Sequence, residues 1–585
     1  MFQRYMDYMS RYLGTFYRIL RQEHIFMVGI ACLVGFLVGV AAVWFKQLIS
    51  WFHHLFYSSV DINNGGDWSL DLLFLPLIVG FGGLLVGLLN HFFNPHGESA
   101  AVSEAMKWAA IDRRVPSRVI WFRPLASALT IGSGGSGGRE GPIVQIGAAI
   151  GSWVGKRIKA SSERIRLLIG CGTAAAIASA FNAPLGGLIF SIEVILGDFN
   201  IKVFSPLIFS AVIATVTARH MEGDVPVFQL PNYSLVSTWE FIFFVILGIL
   251  CGLLAALFYK FYFKFTDLFE NLPVHPALKP ALGGVAVGFV GIVFPDVLGN
   301  GYESMDMVLT GKMGLMLAFF LIFVKMFATS LTIGSNGSGG MFAPALFIGS
   351  MTGGVFGMIL NTLLPEHTGP SGAYALVGMG AVMSAAAHAP LSNILMVFEL
   401  TNNYQIILPI MLACISATFT YSYFLPDSIY QQKLKRKGVM IWEGRESRIM
   451  EGIKVKDVMI REFETIPENL PFKKILALVK SSRELYFHTI DESGRLTGIL
   501  SVQDMREFLF EASLADIVIA KELAKQDMIT IHPDESLNDA MEKFSIKDLD
   551  ELPVVTKGKV VKMLGVIKRK DVINSYKKAV MEQTI

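Results

Sequence analysis

The sequence predicts an all-helical membrane domain made of two related copies, followed by a soluble α/β domain that is itself duplicated. Three observations carry this. Of 585 residues, 53% are hydrophobic and 17% charged, against about 25% charged in an ordinary soluble chain. The shortage of charge falls in the first 425 residues, and the remainder has ordinary soluble composition. Two long blocks recur in the same order inside the apolar part.

Residues 1–25 form an N-terminal segment with Arg4, Arg11, Arg18 and Arg21. Runs 26–47, 71–93, 239–262 and 314–334 are each long enough for about 30 Å of hydrocarbon. The first is too long for a signal-peptide core and lacks a small-residue cleavage site, so it is read as a span. Segments 143–155, 184–197 and 345–360 are too short or too rich in glycine for one clean crossing. They suit broken helices buried in protein. Lys433, Lys435, Arg436 and Lys437 close the membrane part. Positive charge at both ends predicts that both lie in the cytoplasm, with an even number of crossings. Cys32, Cys171, Cys251 and Cys414 sit in apolar segments without metal spacing, as buried unpaired thiols do. A net charge of +2 gives no reason to invoke a nucleic-acid partner.

Residues 129–155 read LTIGSGGSGGREGPIVQIGAAIGSWVG, and 331–357 read LTIGSNGSGGMFAPALFIGSMTGGVFG, 202 residues later. Gly132, Ser133, Gly135, Ser136, Gly137, Gly138, Pro142 and Gly147 all recur. FNAPLGGLIFSIE (181–193) is matched by AHAPLSNILMVFE (387–399), pairing Pro184 with Pro390 and Glu193 with Glu399. Residues 26–220 and 238–425 are therefore two copies of one unit. Duplicated halves with Gly/Pro-interrupted segments in matching places point to a transporter whose site lies between them. The sequence by itself leaves open whether the copies are inverted.

In GSGGSGGREGP (132–142) the glycines let the backbone approach a ligand. Pro142 suits the first turn of a helix beginning near Glu140, and Pro344 does the same in the second copy. Free N–H groups and the helix dipole make such a start an anion site. Gly132, Gly134 and Gly137 spell a dinucleotide-type pattern, but the strand and βαβ context are missing and no Walker lysine follows. Glycines serving only close helix packing are the plainer alternative. Glu140, an acid in apolar surroundings, is a functional candidate. It either gates the site by competing with the anion, with protonation releasing it, or caps its own helix and pairs with Arg139. Glu193 and Glu399 occur in both copies, which favours a structural role.

GREGPIVQIG (138–147), GGMFAPALFIG (339–349), FNAPLGG (181–187) and FELTNNYQIILP (398–409) resemble the CLC family of chloride channels and proton-coupled chloride exchangers, over nearly all of 26–440. The resemblance implies antiparallel halves, a homodimer, one anion pathway per subunit, and no enzymatic activity. It makes Glu140 the gating glutamate. It puts the anion on main-chain groups around Arg139, Glu140 and Gly141 and around Met341, Phe342 and Ala343. Tyr430 then resembles the tyrosine whose hydroxyl meets the central anion, although an interfacial anchor is the alternative reading. Two departures stand out. Where the family has a serine-bearing segment, this chain reads GESAAVSEA (97–105), with Ala100 at the serine and Ser99 beside it. Where exchangers carry two adjacent glutamates, this chain has Glu193-Val194, which tilts the expectation toward a passive channel, with proton-coupled exchange the alternative.

After a linker at 426–450, two further copies are expected at 451–510 and 511–585. VKDVM…TIP…TGILSVQDMREFL (455–509) parallels LAKQDMITIHP…LGVIKRKDVINSY (523–576), with Gly498 and Gly565 in register. This resembles a tandem pair of CBS modules. The resemblance implies a possible adenine-nucleotide site at Ser501, Asp504 and Asp571, with Lys568 replacing the hydroxyl of the second copy. A purely structural pair is the other reading; no cofactor is otherwise required. A CBS-containing divalent-cation transporter would need converging intramembrane carboxylates, which the sequence lacks. An intramembrane enzyme would need partners for His388, and none is evident.

Overall fold

The computed structural model describes the chain except 1–22, 59–72, 94–100, 112–114, 198, 200, 225–226, 229–234, 402, 440–449, 451, 483–485, 503–504, 506–517, 547–548, 558–561 and 583–585. The expectations for Arg4, Arg11, Arg18, Arg21, Ser99, Ala100 and Asp504 lie outside the described residues. The chain divides into two units, 1–441 and 442–585.

The first unit is helical. The first copy contributes α1 (Glu23–Tyr57), α2 (Leu75–Phe93), α3 (Ala101–Ala110), α4 (Val119–Gly132), α5 (Glu140–Arg157), α6 (Ser162–Phe181), α7 (Pro184–Phe190) and α8 (Ile201–Glu222). The second contributes α9 (Glu240–Asn271), α10 (Lys279–Val293), α11 (Tyr302–Leu309), α12 (Leu315–Gly334), α13 (Phe342–Leu363), α14 (Ser371–Ala387), α15 (Pro390–Thr401) and α16 (Ile407–Phe424). Each helix of the second copy thus answers the one eight places earlier. A last helix, α17 (Ile429–Arg436), starts with a Ser428/Gln431 capping box. It falls in the stretch expected to be linker, yet it belongs to the first unit.

Among the described residues, nine helices are long and apolar enough to cross a membrane. The expectation of a segment too short to span fails for 345–360. These residues lie within the 22-residue α13, whose apolar window is 78% buried inside the protein. The glycines that argued against a span are packing sites instead. A Cβ on Gly378 of α14 would sit 3.0 Å from Gly353 of α13, so the two backbones meet directly. Residues 184–197 are broken as expected: α7 runs into a π-helical turn at Ser191–Leu196.

The two copies meet antiparallel. Gly138 and Gly340 form an isolated antiparallel bridge, each N–H donating to the other's carbonyl at 2.8 Å. Ser136 N donates to Thr332 Oγ1 at 3.0 Å, and Ser338 N donates to Thr130 Oγ1 at 3.1 Å. Exchange of equivalent bonds between equivalent residues is what a local two-fold axis produces. The axis passes between the two glycine-rich segments.

The second unit holds α18 (Val455–Val458), α19 (Phe472–Ser481), α20 (Ala520–Leu523), α21 (Leu537–Ile546) and α22 (Arg569–Glu582). Strands β1 (Thr465–Pro467), β2 (Tyr486–Ile490) and β3 (Leu496–Ser501) form one sheet, and β4 (Glu551–Val555) and β5 (Met563–Lys568) another. The packing crosses the expected boundary at 510/511. Met450 and Val455 are buried with Ile531, Leu537 and Ile567, while Ala520 is buried with Ile466, Phe487 and Leu500. Each repeat therefore gives its first segment to the other repeat's core. Short amphipathic segments bury their apolar residues against whichever sheet face is open.

Candidate anion pathway

Two helix starts face each other across the Gly138–Gly340 bridge. Chain geometry explains why each start is bare. Pro142 and Pro344 stand third in α5 and α13 and have no N–H to bond. Ile143 N then reaches Arg139 O, and Ala345 N reaches Met341 O, both at 3.1 Å. Neither Arg139 nor Met341 caps its helix with a side chain. The N–H groups of Arg139, Glu140 and Gly141, and of Met341, Phe342 and Ala343, have no acceptor among the described residues. A Cβ on Gly141 would lie 2.9 Å from Gly340 Cα and 3.4 Å from the Ala101 side chain. The start of α3 thus borders the same place.

Glu140 is fully buried. Its Oε1 accepts a hydrogen bond from the Tyr302 hydroxyl at 2.5 Å and lies 3.7 Å from Arg139 Nε. Its Oε2 has no hydrogen-bond partner among the described residues, and a Cβ on Gly138 would collide with it. The carboxylate therefore lies against the bridge rather than out in solvent. A buried carboxyl oxygen left without a hydrogen-bond partner is costly, and the helix start beside it has free amides to offer. Pairing with Arg139, the plainer alternative, is present at long range; Glu140 does not cap its own helix with a side-chain bond.

Tyr430, second residue of α17, is 3% exposed. Its carbonyl accepts from Ser103 Oγ of α3 at 3.0 Å, which ties the two helix starts together. Its hydroxyl is within electrostatic reach of Glu140. The first unit therefore brings together Arg139, Glu140, Gly141, Met341, Phe342, Ala343 and Tyr430.

Glu193 and Glu399 sit elsewhere and act as caps. Glu399 accepts from Leu185 N at 2.9 Å and Gly186 N at 2.7 Å, at the start of α7. Glu193 accepts from Leu391 N at 3.1 Å and Ser392 N at 2.8 Å, at the start of α15, and also from the Ser392 hydroxyl. Each glutamate caps the helix of the opposite copy, which is the structural role their duplication favoured. Val194 is buried.

In the second unit Ser501 ends β3 and Asp571 opens α22. Asp571 Oδ2 is buried without a hydrogen-bond partner among the described residues. Lys568 pairs with Glu551 at 3.5 Å. Two residues escaped sequence reasoning. Tyr302 follows an unrepeated Gly-Asn-Gly turn, 162 residues from Glu140, and no pattern in the sequence marked it. Lys325, fully buried in α12, carried the signal of an intramembrane charge.

The family described as voltage gated chloride channel matches residues 82–422, and the CBS domain matches 455–511 and 520–578. A putative chloride channel protein, ClcB-like, of Ralstonia nicotianae is 34% identical over 70% of this chain and 97% of its own length. The H(+)/Cl(-) exchange transporter ClcA of Salmonella arizonae is 30% identical over 69% of this chain and 87% of its own. Among solved structures, a slow cyanobacterial Cl-/H+ antiporter superposes with a TM-score of 0.66 at 27% identity, over 70% of this chain and 97% of that one. A eukaryotic CLC transporter at 19% identity shares the fold over 93% of this chain and 97% of its own, with a TM-score of 0.62. With matching membrane halves, matching helix starts and a duplicated tail, this chain belongs to the CLC family of chloride channels and proton–chloride exchangers and carries tandem CBS domains.

Proposed function

We propose that the protein moves chloride across a membrane in exchange for protons, with Glu140 as the gate. The observation that carries this is a fully buried carboxylate lying beside six unbonded amides at two opposed helix starts. Fixed N–H dipoles replace the ion's hydration shell without reorganising. Chloride and the Glu140 carboxylate compete for them, and a proton on Glu140 removes its claim. Exchange is the reading favoured by relatives named as exchangers. Tyr430 and the start of α3 form the second station along the path. Both ends of the chain lie in the cytoplasm and the molecule works as a homodimer, one path per subunit. The CBS pair takes an adenine nucleotide near Ser501, Asp504 and Asp571 and regulates transport.

One observation favours passive conduction instead. Val194 cannot carry a proton, and both oxygens of Glu193 are engaged at α15. Reversal potential in reconstituted bilayers separates the two. A value that follows imposed pH as well as chloride supports exchange, and one fixed at the chloride equilibrium potential supports a channel. Glu140→Ala is expected to abolish the pH dependence of chloride flux in liposomes. A profile unchanged from wild type rejects Glu140 as the gate.

A further inference from the structure

Tyr302 opens α11, and its hydroxyl donates to the same Glu140 oxygen that faces Arg139. The ring is held from two sides. The Arg139 guanidinium carbon lies 4.9 Å from its centroid, and the Phe228 ring lies 5.4 Å away. The backbone beneath is fixed as well. Gly301 takes φ +78, which a side chain rarely adopts, so the chain turns sharply into α11. Lys325 Nζ donates to Val297 O at 2.9 Å and to Gly299 O at 3.1 Å. Gly299 in turn bonds Gly134 O through its N–H and accepts from Gly137 N, at 3.2 and 3.3 Å. The loop that delivers the phenol is therefore pinned to the glycine segment that delivers Glu140.

Resting on the gating reading above, we propose that Tyr302 is the latch of the gate, a positioning residue that holds Glu140 against the helix starts by a hydrogen bond. A phenol donates more strongly to a compact carboxylate than to a large, diffuse halide. The bond therefore biases the competition toward the closed state. Arg139 contributes by clamping the ring. Arg139 from its own helix start, Tyr302 from α11 and Tyr430 from α17 are the charged and titratable groups facing Glu140 among the described residues. Of these, Tyr302 makes the direct bond.

The test is Tyr302→Phe, which keeps the ring and its packing, measured alone and combined with Glu140→Ala. The single variant should raise chloride flux at neutral pH several-fold. It should move the pH of half-maximal flux upward by about one unit, a tenfold change in the competition. Half-activating chloride should fall in parallel. In the Glu140→Ala background the same substitution should change nothing, because the latch has nothing to hold. A wild-type pH profile in Tyr302→Phe overturns the latch, as does an equal effect of the substitution with and without Glu140. An unchanged profile in Glu140→Ala alone overturns the gate reading, a separate outcome.

Discussion

The starts of α7 and α15 and the starts of α5 and α13 share their ingredients: a proline in the first turn and a neighbour from the opposite copy. They differ in what covers the amides. At α7 and α15 the cover is a carboxylate fixed by the fold, Glu399 or Glu193. At α5 and α13 the opposite copy supplies only a glycine, and the Gly138–Gly340 bridge uses that glycine's own N–H. The positive end of a buried helix needs negative charge nearby. Where the fold supplies a permanent one, the site is structural; where it supplies none, a side chain that can leave, or an ion, fills the role. Function here rests on withholding a cap that the same protein provides elsewhere.

The most severe way to break this contrast is to cap the open pair. A Cβ on Gly340 would lie 2.8 Å from Gly141 N, too close for the bridge to stay as it is, so Gly340→Asp crowds the junction while bringing a permanent carboxylate beside the free amides. Chloride flux in liposomes should fall about a hundredfold, equivalent to about 2.8 kcal/mol. Flux at the wild-type level would mean that these amides do not line the path. The opposite manipulation uncaps the closed pair. Glu193→Ala or Glu399→Ala should each destabilise the protein by about 1–3 kcal/mol, the usual cost of orphaned donors. A lower thermal unfolding midpoint with an unmoved flux–pH profile is the expected signature. A shifted profile would make the caps part of transport.

The smallest effect sharpens the comparison by moving it into water. Asp491 accepts from Ser493 N and Arg495 N, both at 2.9 Å, on the surface of the second unit. The Ser493 hydroxyl and the Arg495 amide hold its carboxyl down to about 2, from an ordinary 3.8. Because the folded value is depressed, this stabilisation is complete above about pH 4 and disappears as pH falls toward 2. Asp491→Asn should therefore lower the unfolding midpoint slightly at pH 7, because the group is exposed, and the gap to wild type should close as pH falls from about 4 toward 2. Melting curves across that range are the check. A loss at pH 7 as large as that of Glu193→Ala would contradict the role assigned to burial.

Much of this was legible in the sequence because it is duplicated. The blocks at 129 and 331 marked both helix starts, and Pro142 and Pro344 fixed where their amides go unbonded. Glu193 and Glu399 could be read as structural because both copies keep them, although that each serves the other copy needs the antiparallel arrangement. Tyr302 was invisible for the converse reason. It lies outside the repeated blocks, and its contact with Glu140 is set by a loop that Lys325 anchors from a third helix. The stretch 345–360 was misread because glycine weakens a helix in isolation yet permits the close packing that stabilises it in a bundle. In the tail, linear spacing gave the two repeats but could not reveal that their leading segments change places.

That interchange has a consequence for anyone who divides the tail. Deleting residues 511–585 removes Ala520 from the first repeat's interior and strands Met450 and Val455 without the surface that shelters them. Neither repeat is a separable cassette, and a cut between them damages both. The pair should melt as one cooperative body, and a lesion in either repeat should be felt in its twin.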